Sequence, residues 1–170
     1  MDEEQIFRQL VDGKVDFVLV GGLAAVAQGV VHLTNDVDIC YAPDPANLTR
    51  LTQALAPLHP RLRVEGLTDE QARTLPFQWD ARTILATELL TLKTDAGSLD
   101  LIRVIPGVGS YADVRAASVP VDFFDMRVIT LDLPALIESK RAVRRPKDLA
   151  ALPHIEAVLR TREAAESTED

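Results

Sequence analysis

The sequence predicts an α/β (α+β) fold in which helices flank a small mixed β-sheet, and three observations support this. An apolar stretch that ends at Gly21-Gly22 is followed by a helix-like run, as expected where a buried strand turns into a helix. A second apolar stretch contains Asp36-Val37-Asp38, an alternation typical of a half-buried strand. The segment from Glu88 to Ile105 has the pattern of a β-hairpin.

The other elements follow in order as short units. Residues 4–12 predict a helix, residues 16–20 a buried strand, and residues 23–28 a second helix that Gly29 ends. Asp44-Pro45 predicts the start of a third helix, because Asp is a good cap and Pro suits the first helical position. The remaining predicted elements are a short helix at 68–75, the hairpin with Asp95-Ala96-Gly97 as its turn, a strand at 128–131, a helix capped by Asp132 and a helix at 148–162.

Composition and charge restrict the possible classes of protein. The chain has 170 residues, 47% of them hydrophobic, which predicts one domain at residues 1–162 and an acidic flexible tail at residues 163–170. Its formal net charge of −8 argues against broad, nonspecific nucleic-acid binding. No apolar stretch is long enough for a membrane span, and the start of the chain lacks the basic residues of a signal peptide. The single cysteine, Cys40, is expected to be a buried hydrophobic residue, and we predict a cytoplasmic protein.

Asp36 and Asp38 form the most informative motif. Residues i and i+2 of a strand project from the same face, so both carboxylates face one way while Val37 and Ile39 face the core. Two like charges on a half-buried strand repel each other unless a cation lies between them. Mg²⁺ prefers one or two carboxylates together with the phosphates of a substrate. The pair therefore indicates phosphoryl or nucleotidyl chemistry with Mg²⁺ or Mn²⁺.

Three further features could complete such a site. Asp100 lies between Leu99 and Leu101 on the second hairpin strand, where it would either add a third carboxylate or face water at a sheet edge. Gly21-Gly22 would present backbone N–H groups at a helix start, which favours anions. A basic cluster would supply counter-charge for phosphates or else form a solvated helix face; it consists of Lys140, Arg141, Arg144, Arg145 and Lys147.

These motifs together resemble the signature of the nucleotidyltransferase superfamily, the DNA polymerase β-like fold. That signature is an apolar residue, two small residues, a spacer, Asp-x-Asp and a later Asp; here it reads Val20-Gly21-Gly22, Asp36, Asp38 and Asp100. Within the superfamily, the segments from Gly29 to Asp38 and from Lys140 to Asp148 are similar to those of small bacterial proteins of the abortive-infection and toxin–antitoxin branch. The resemblance covers about residues 16–160. The chain departs from the pattern at His32, where that branch has Arg, and at Ala151, where it has Asp.

The resemblance implies a role for each matching residue. Asp36, Asp38 and Asp100 would bind Mg²⁺ or Mn²⁺, and Asp100 would also help to deprotonate the acceptor. Gly21, Gly22 and Lys140 would hold the triphosphate of an NTP. The implied activity is metal-dependent transfer of a nucleoside monophosphate to a hydroxyl of an RNA end, a protein or a small molecule, with ATP among the NTPs. A toxin or antitoxin protein is the implied partner.

Two other functions fit the same residues. The chain could be a catalytically inactive module that binds a nucleotide or a partner, as an antitoxin or scaffold would, or it could be a metal-dependent phosphohydrolase. Turnover with Mg²⁺ separates the first of these from a transferase.

Three predictions concern the segment after Asp132. Lys140 continues the apolar stripe of Leu136 and Ile137, so we expect it on the buried side of its helix and pointing into the metal cleft. Arg141 and Arg144 should face solvent more. Asp148 is expected to be an N-cap.

Overall fold

The computed structural model describes residues 2–169, and within them the chain forms nine strands and eight α-helices. The strands are β1 Phe17–Val20, β2 Asp36–Tyr41, β3 Arg61–Leu62, β4 Leu89–Lys93, β5 Ser98–Ile102, β6 Val104–Ile105, β7 Gly109–Ser110, β8 Ser118–Phe123 and β9 Met126–Leu131. The helices are α1 Glu3–Asp12, α2 Gly21–Ala27, α3 Pro45–Leu55, α4 Asp69–Arg73, α5 Ala81–Leu85, α6 Tyr111–Ala116, α7 Leu133–Val143 and α8 Pro146–Glu169.

Seven strands form one sheet in the order β3-β4-β5-β2-β1-β9-β8. The β2/β5 and β1/β9 neighbours are parallel, and the other neighbours in this sheet are antiparallel. Strands β6 and β7 form a separate two-stranded ribbon. The predicted α/β fold, a mixed sheet flanked by helices, is therefore confirmed, and so is the hairpin formed by β4 and β5.

The central strands have the burial pattern that their sequences predict. Strand β1 is buried along its whole length, and Val37 and Ile39 of β2 are completely buried. Asp36 and Asp38 alternate with them and remain partly exposed. Cys40 is completely buried, as expected for a small hydrophobic residue. One face of β2 therefore belongs to the core, while the other presents carboxylates.

Two predicted caps start their helices. An Asp44 carboxylate oxygen accepts a hydrogen bond from the Asn47 N–H at 2.9 Å, and Asp132 accepts one from the Ala135 N–H at 2.8 Å. The capped helix α3 is also tied to the sheet by Asn47, whose completely buried amide bonds backbone groups of Asp16 and Ala42. These local signals fix where α3 and α7 begin.

Helix α8 differs from its prediction at both ends. It begins at Pro146, so Asp148 lies inside the first turn and the prediction of an N-cap there is wrong. Pro favours the first helical position, because its fixed φ suits a helix and its missing N–H is not needed there. Residues 163–169, predicted as an acidic flexible tail, continue the helix. Their flexibility and the domain boundary at residue 162 stay predictions, and Asp170 lies outside the described residues. None of the helices in the described part of the chain has the length and apolar character needed to cross a bilayer.

Candidate active site

The three predicted carboxylates lie on two neighbouring parallel strands. In the register of β2 and β5, Asp38 lies opposite Asp100 and Asp36 lies opposite Ser98. The side chain of Asp36 is 31% exposed and that of Asp100 is 15% exposed. Because paired residues of adjacent strands project from the same face, the structure brings all three carboxylates to one side of the sheet.

Gly21 makes room for this arrangement. It has a φ of +68°, and a Cβ atom placed there would lie 2.1 Å from Asp38 Oδ2. A side chain at position 21 would therefore collide with the central carboxylate, and the positive φ would strain any other residue. Helix α2 begins at Gly21 rather than at Leu23 as predicted, so both glycines form its first turn, which has no side-chain cap.

Gly22 has a different neighbour, the loop between α2 and β2. A Cβ atom at position 22 would lie 2.9 Å from Thr34 Cβ and 3.0 Å from His32 Cδ2. This loop leads directly into Asp36. The two glycines thus allow close packing on both sides, with Asp38 against the first and the loop against the second.

Burial and mutual repulsion change the protonation of two of the carboxyl groups. Burial raises the pKa of Asp38 to about 7, and the charges of Asp100 and Asp36 add to the shift. Burial also raises the pKa of Asp100, while the hydrogen bond and charge of Arg63 oppose this shift. Carboxyl groups that are held close together and partly buried in this way are typical of sites that bind a cation.

Arg63, immediately after β3, contacts two of the three carboxylates. Its Nη2 lies 2.6 Å from Asp100 Oδ1, and its Nη1 lies 3.5 Å from Asp36 Oδ1. The sequence motifs did not predict a role for this residue. Its signal was the alternation of basic and apolar residues in Arg61-Leu62-Arg63-Val64, which is typical of a strand with one polar face.

Within residues 2–169, no group of three or more His, Cys, Asp or Glu side chains has an arrangement that would hold a metal ion as it stands. The three carboxylates share a face, but Arg63 supplies the positive charge beside two of them. The roles of Asp36, Asp38 and Asp100 as metal ligands therefore stay predictions.

Lys140 lies on the buried side of α7, as predicted, but it is paired with a carboxylate of the next helix. Its Nζ lies 3.2 Å from Asp148 Oδ1, and both side chains are less than 10% exposed. Arg145 Nε lies 2.7 Å from the other oxygen of Asp148. Burial alone would raise the pKa of Asp148, but Arg145 and Lys140 outweigh it and hold the pKa below its usual value. Asp148 is thus a charged anchor between α7 and α8.

Other members of the basic cluster act on the carboxylates. The charges of Lys147 and Arg145 lower the pKa of Asp38, opposing its burial, and Lys147 does the same for Asp100. The sequence favoured Lys140 over Arg145 as a site residue, whereas within the basic cluster it is Lys147 and Arg145 whose charges lower the pKa of Asp38. Arg141 and Arg144 are exposed, as predicted.

His32, the departure from the family pattern, lies beside this basic cluster. Burial lowers its pKa, and the charge of Lys140 lowers it further. The imidazole is therefore neutral at pH 7 and does not replace the positive charge of an Arg. Ala151, the second departure, is buried.

Comparisons with known proteins concern the fold. No protein-family model and no curated protein matches the sequence. Among solved structures, the lincosamide antibiotic adenylyltransferase LnuA bound to lincomycin matches with a TM-score of 0.61 at 14% identity, covering 93% of this chain and 98% of that protein. The chain has a nucleotidyltransferase fold. ANT(2'')-Ia in complex with adenylyl-2''-tobramycin matches with a TM-score of 0.56 at 14% identity, covering 98% of this chain and 96% of that protein. A solution structure of ANT(2'')-Ia matches with a TM-score of 0.53.

Proposed function

We propose that this chain is a metal-dependent nucleotidyltransferase, which moves a nucleoside monophosphate from an NTP to an acceptor hydroxyl. The observation that carries the proposal is the register of β2 and β5, which pairs Asp38 with Asp100 and leaves Asp36 on the same face. The contact of Gly21 with Asp38 adds to it, because that contact joins the strand–Gly-Gly–helix turn to the carboxylates. The nucleotidyltransferase fold is consistent with this chemistry.

The donor set fits Mg²⁺ or Mn²⁺. Carboxylate oxygens are the ligands that these ions prefer, and three carboxylates share one face of the sheet here, where burial raises the pKa of Asp38 and of Asp100. We assign Asp36, Asp38 and Asp100 to metal binding. When bound, the ion would neutralise charge on the triphosphate and make the acceptor hydroxyl easier to deprotonate.

The protein groups divide the remaining tasks. In the reaction, the acceptor oxygen forms a bond to the α-phosphorus, the bond from that phosphorus to the bridging oxygen breaks, and pyrophosphate leaves. Asp100 receives the proton of the acceptor hydroxyl, a role that fits its raised pKa. Gly21 and Gly22 bind the triphosphate through backbone N–H groups. Lys140, which is paired with Asp148 at 3.2 Å, would have to leave that partner to bind the triphosphate as well. Catalysis rests mainly on positioning and charge neutralisation.

Three acceptor classes follow from the proposal. Small molecules with hydroxyl groups come first, because one protein of similar fold is a lincosamide antibiotic adenylyltransferase with lincomycin bound and another is in complex with adenylyl-2''-tobramycin. RNA ends and protein hydroxyls are the others, and they would fit a role in a toxin–antitoxin system. A gene for a small toxin or antitoxin beside this one would favour that role.

Label transfer tests the proposal. The protein is incubated with Mg²⁺ or Mn²⁺, one α-³²P-labelled NTP at a time, and separate pools of aminoglycosides and lincosamides, total RNA, or soluble protein. We expect label to enter one pool with release of unlabelled pyrophosphate, and Asp38→Asn to abolish the transfer. Asp122→Asn is the matched control, because Asp122 is an exposed residue of β8 that pairs only with Arg127 among the contacts described. Label that appears only as free nucleoside monophosphate would instead indicate a phosphohydrolase.

One observation favours a second candidate, the inactive binding module. Arg63 already balances part of the charge of Asp36 and Asp100, so this face can exist without a metal ion. Such a module would bind a nucleotide or a toxin or antitoxin protein and would give no labelled product with any NTP or acceptor pool.

A further inference from the structure

The guanidinium of Arg63 lies where a divalent cation would be needed. Its two terminal nitrogens contact Asp100 Oδ1 at 2.6 Å and Asp36 Oδ1 at 3.5 Å. Arg63 follows β3, whereas its two partners lie on β2 and β5. A guanidinium and a divalent ion between the same two carboxylates would repel each other strongly. The carboxylates can therefore hold either the Arg63 side chain or a metal ion in this position.

The backbone of Arg63 is fixed, whereas its side chain has room to move. Its N–H donates to the Thr91 carbonyl at 3.0 Å, and the Thr91 hydroxyl donates to the Arg63 carbonyl at 2.9 Å. Thr91 lies opposite Asp100 in the β4/β5 register, so this anchor is on the strand next to one of the carboxylates. The Arg63 side chain is 35% exposed. Any exchange at the carboxylates would therefore need only a rotation of this side chain.

The contacts of Arg63 are also incomplete. Among the described residues, its buried Nε finds no hydrogen-bond acceptor. Arg61, two residues earlier, differs: its guanidinium bonds both oxygens of Asp69, Asp95 Oδ1 and the His59 carbonyl. Arg61 thus has the contacts of a structural residue, whereas the Nε of Arg63 has no acceptor while its side chain lies between the carboxylates.

We propose that Arg63 is a resident counter-ion, which a divalent cation displaces from Asp36 and Asp100 and which then binds a phosphate of the incoming nucleotide. The inference rests on the proposed function. Arginine binds carboxylate and phosphate with the same planar fork, so it can exchange one for the other. Metal alone must compete with Arg63, whereas metal with a triphosphate gives Arg63 a new partner. Metal and triphosphate therefore promote each other's binding, and this coupling is reciprocal.

Mn²⁺ binding tests the proposal without measuring activity. The dissociation constant of Mn²⁺ alone is measured from the spin-resonance signal of the free ion, for the wild type, Arg63→Gln and Arg73→Gln. Arg73 is the matched control, because it is also an arginine in ion pairs, but its partners are Asp69 and Asp95 rather than the three carboxylates. Both variants lose one positive charge, so their long-range electrostatic effects are similar.

We expect Arg63→Gln to bind Mn²⁺ about tenfold more tightly than the wild type, as loss of a charged competitor implies, and Arg73→Gln to match the wild type. The titration is repeated with inorganic tripolyphosphate, which needs no base recognition. Tripolyphosphate should tighten Mn²⁺ binding to the wild type clearly more than to Arg63→Gln. Equal or weaker binding of Mn²⁺ alone by Arg63→Gln would overturn the proposal.

Two further variants keep the outcomes distinct. Arg63→Lys retains the charge but not the fork, so it should fold even if Arg63→Gln does not, and it should bind Mn²⁺ with an affinity between those of the wild type and Arg63→Gln. The proposal would be overturned if Arg63→Lys bound Mn²⁺ with the same affinity as the wild type both with and without tripolyphosphate. Asp38→Asn should abolish Mn²⁺ binding. If Asp38→Asn abolishes Mn²⁺ binding while substitution of Arg63 has no effect, only the counter-ion proposal fails. If Asp38→Asn binds Mn²⁺ like the wild type, the proposed function fails as well.

Discussion

At the scale of single residues, Gly21 and Arg63 lie against the carboxylates from different parts of the chain: Gly21 leaves space for Asp38, and Arg63 is the counter-charge of Asp36 and Asp100. Gly-Gly, Asp-x-Asp and the later Asp form a recognisable order along the chain, and alternation places both aspartates of β2 on one face. Arg63 meets partners at positions 36 and 100, and only the strand order β3-β4-β5-β2 brings these together. Contacts of this kind depend on topology, which a local pattern does not contain.

Gly21→Ala should abolish the thermal stabilisation by Mg²⁺ and an NTP. The new Cβ would lie 2.1 Å from Asp38 Oδ2, so the central carboxylate would have to move. The measurement is the melting temperature with and without ligand, since a ligand that binds only the folded state raises it. Gly66→Ala is the control, because Gly66 also has a positive φ, of +82°, but no atom within 4 Å of the added Cβ. Equal ligand stabilisation in both variants would contradict the placement of the nucleotide beside Asp38.

The metal-free protein should lose stability as the pH rises from about 4 to 7. The pKa of Asp38 is raised to about 7 in the folded state, so the folded protein binds more protons than the unfolded chain in this range. The free energy of unfolding should fall by about 2–4 kcal/mol across this pH range. Urea denaturation at several pH values measures the change. Asp38→Asn should flatten this part of the profile and be more stable than the wild type at pH 8. A variant with the wild-type pH dependence would show that Asp38 does not carry the shift.

At the scale of elements, the sequence predicted the strands that are long and lie in the centre of the sheet. Strands β1, β2 and β5 were predicted because their apolar residues are continuous or alternate. Strand β8 was missed because Ser118–Phe123 contains Pro120, which lowers strand propensity. Its position at the end of the sheet explains how it tolerates a proline, since an edge strand leaves one side free of ladder hydrogen bonds.

The junction of α7 and α8 gives a prediction about stability. Lys140→Met should lower the free energy of unfolding by about 2–3 kcal/mol, because it leaves the buried Asp148 with Arg145 alone. Arg141→Met should change it by less than about 0.5 kcal/mol, because the Arg141 side chain is 55% exposed and its ion pairs lie at the surface. Urea denaturation at pH 7 compares the two. Similar losses in both variants would mean that Lys140 and Asp148 do not form the anchor described.

At the scale of the whole molecule, the mixed sheet brings distant parts of the chain to one face. Residues from β2, β5 and the segment after β3 meet there, and the charge of Lys147 at the start of α8 acts on Asp38, although these residues span positions 36 to 147. The class of fold could be predicted because each element carries its own signal. The strand order and the length of α8 could not, because they result from packing between elements that are far apart in sequence.

Truncation after Arg162 tests which part of the chain forms the domain. Residues 163–168 are exposed, whereas Arg162 Nη2 donates a hydrogen bond to the Gln28 carbonyl. Removal of residues 163–170 should leave the melting temperature within about 2 °C of the wild type, as for changes to exposed positions. Truncation after Thr161 should lower it further by removing the contact with Gln28. A large loss already in the first variant would mean that the last turns of α8 belong to the domain.

The most direct test of the metal–nucleotide site is a crystal structure of the protein with Mn²⁺ and a non-hydrolysable NTP, with anomalous scattering recorded for manganese. We predict an anomalous peak about 2.1 Å from carboxylate oxygens of Asp36, Asp38 and Asp100, next to the phosphates and with Arg63 turned away from Asp36. A nucleotide bound elsewhere, or no manganese between these carboxylates while Arg63 still bridges Asp36 and Asp100, would contradict the account.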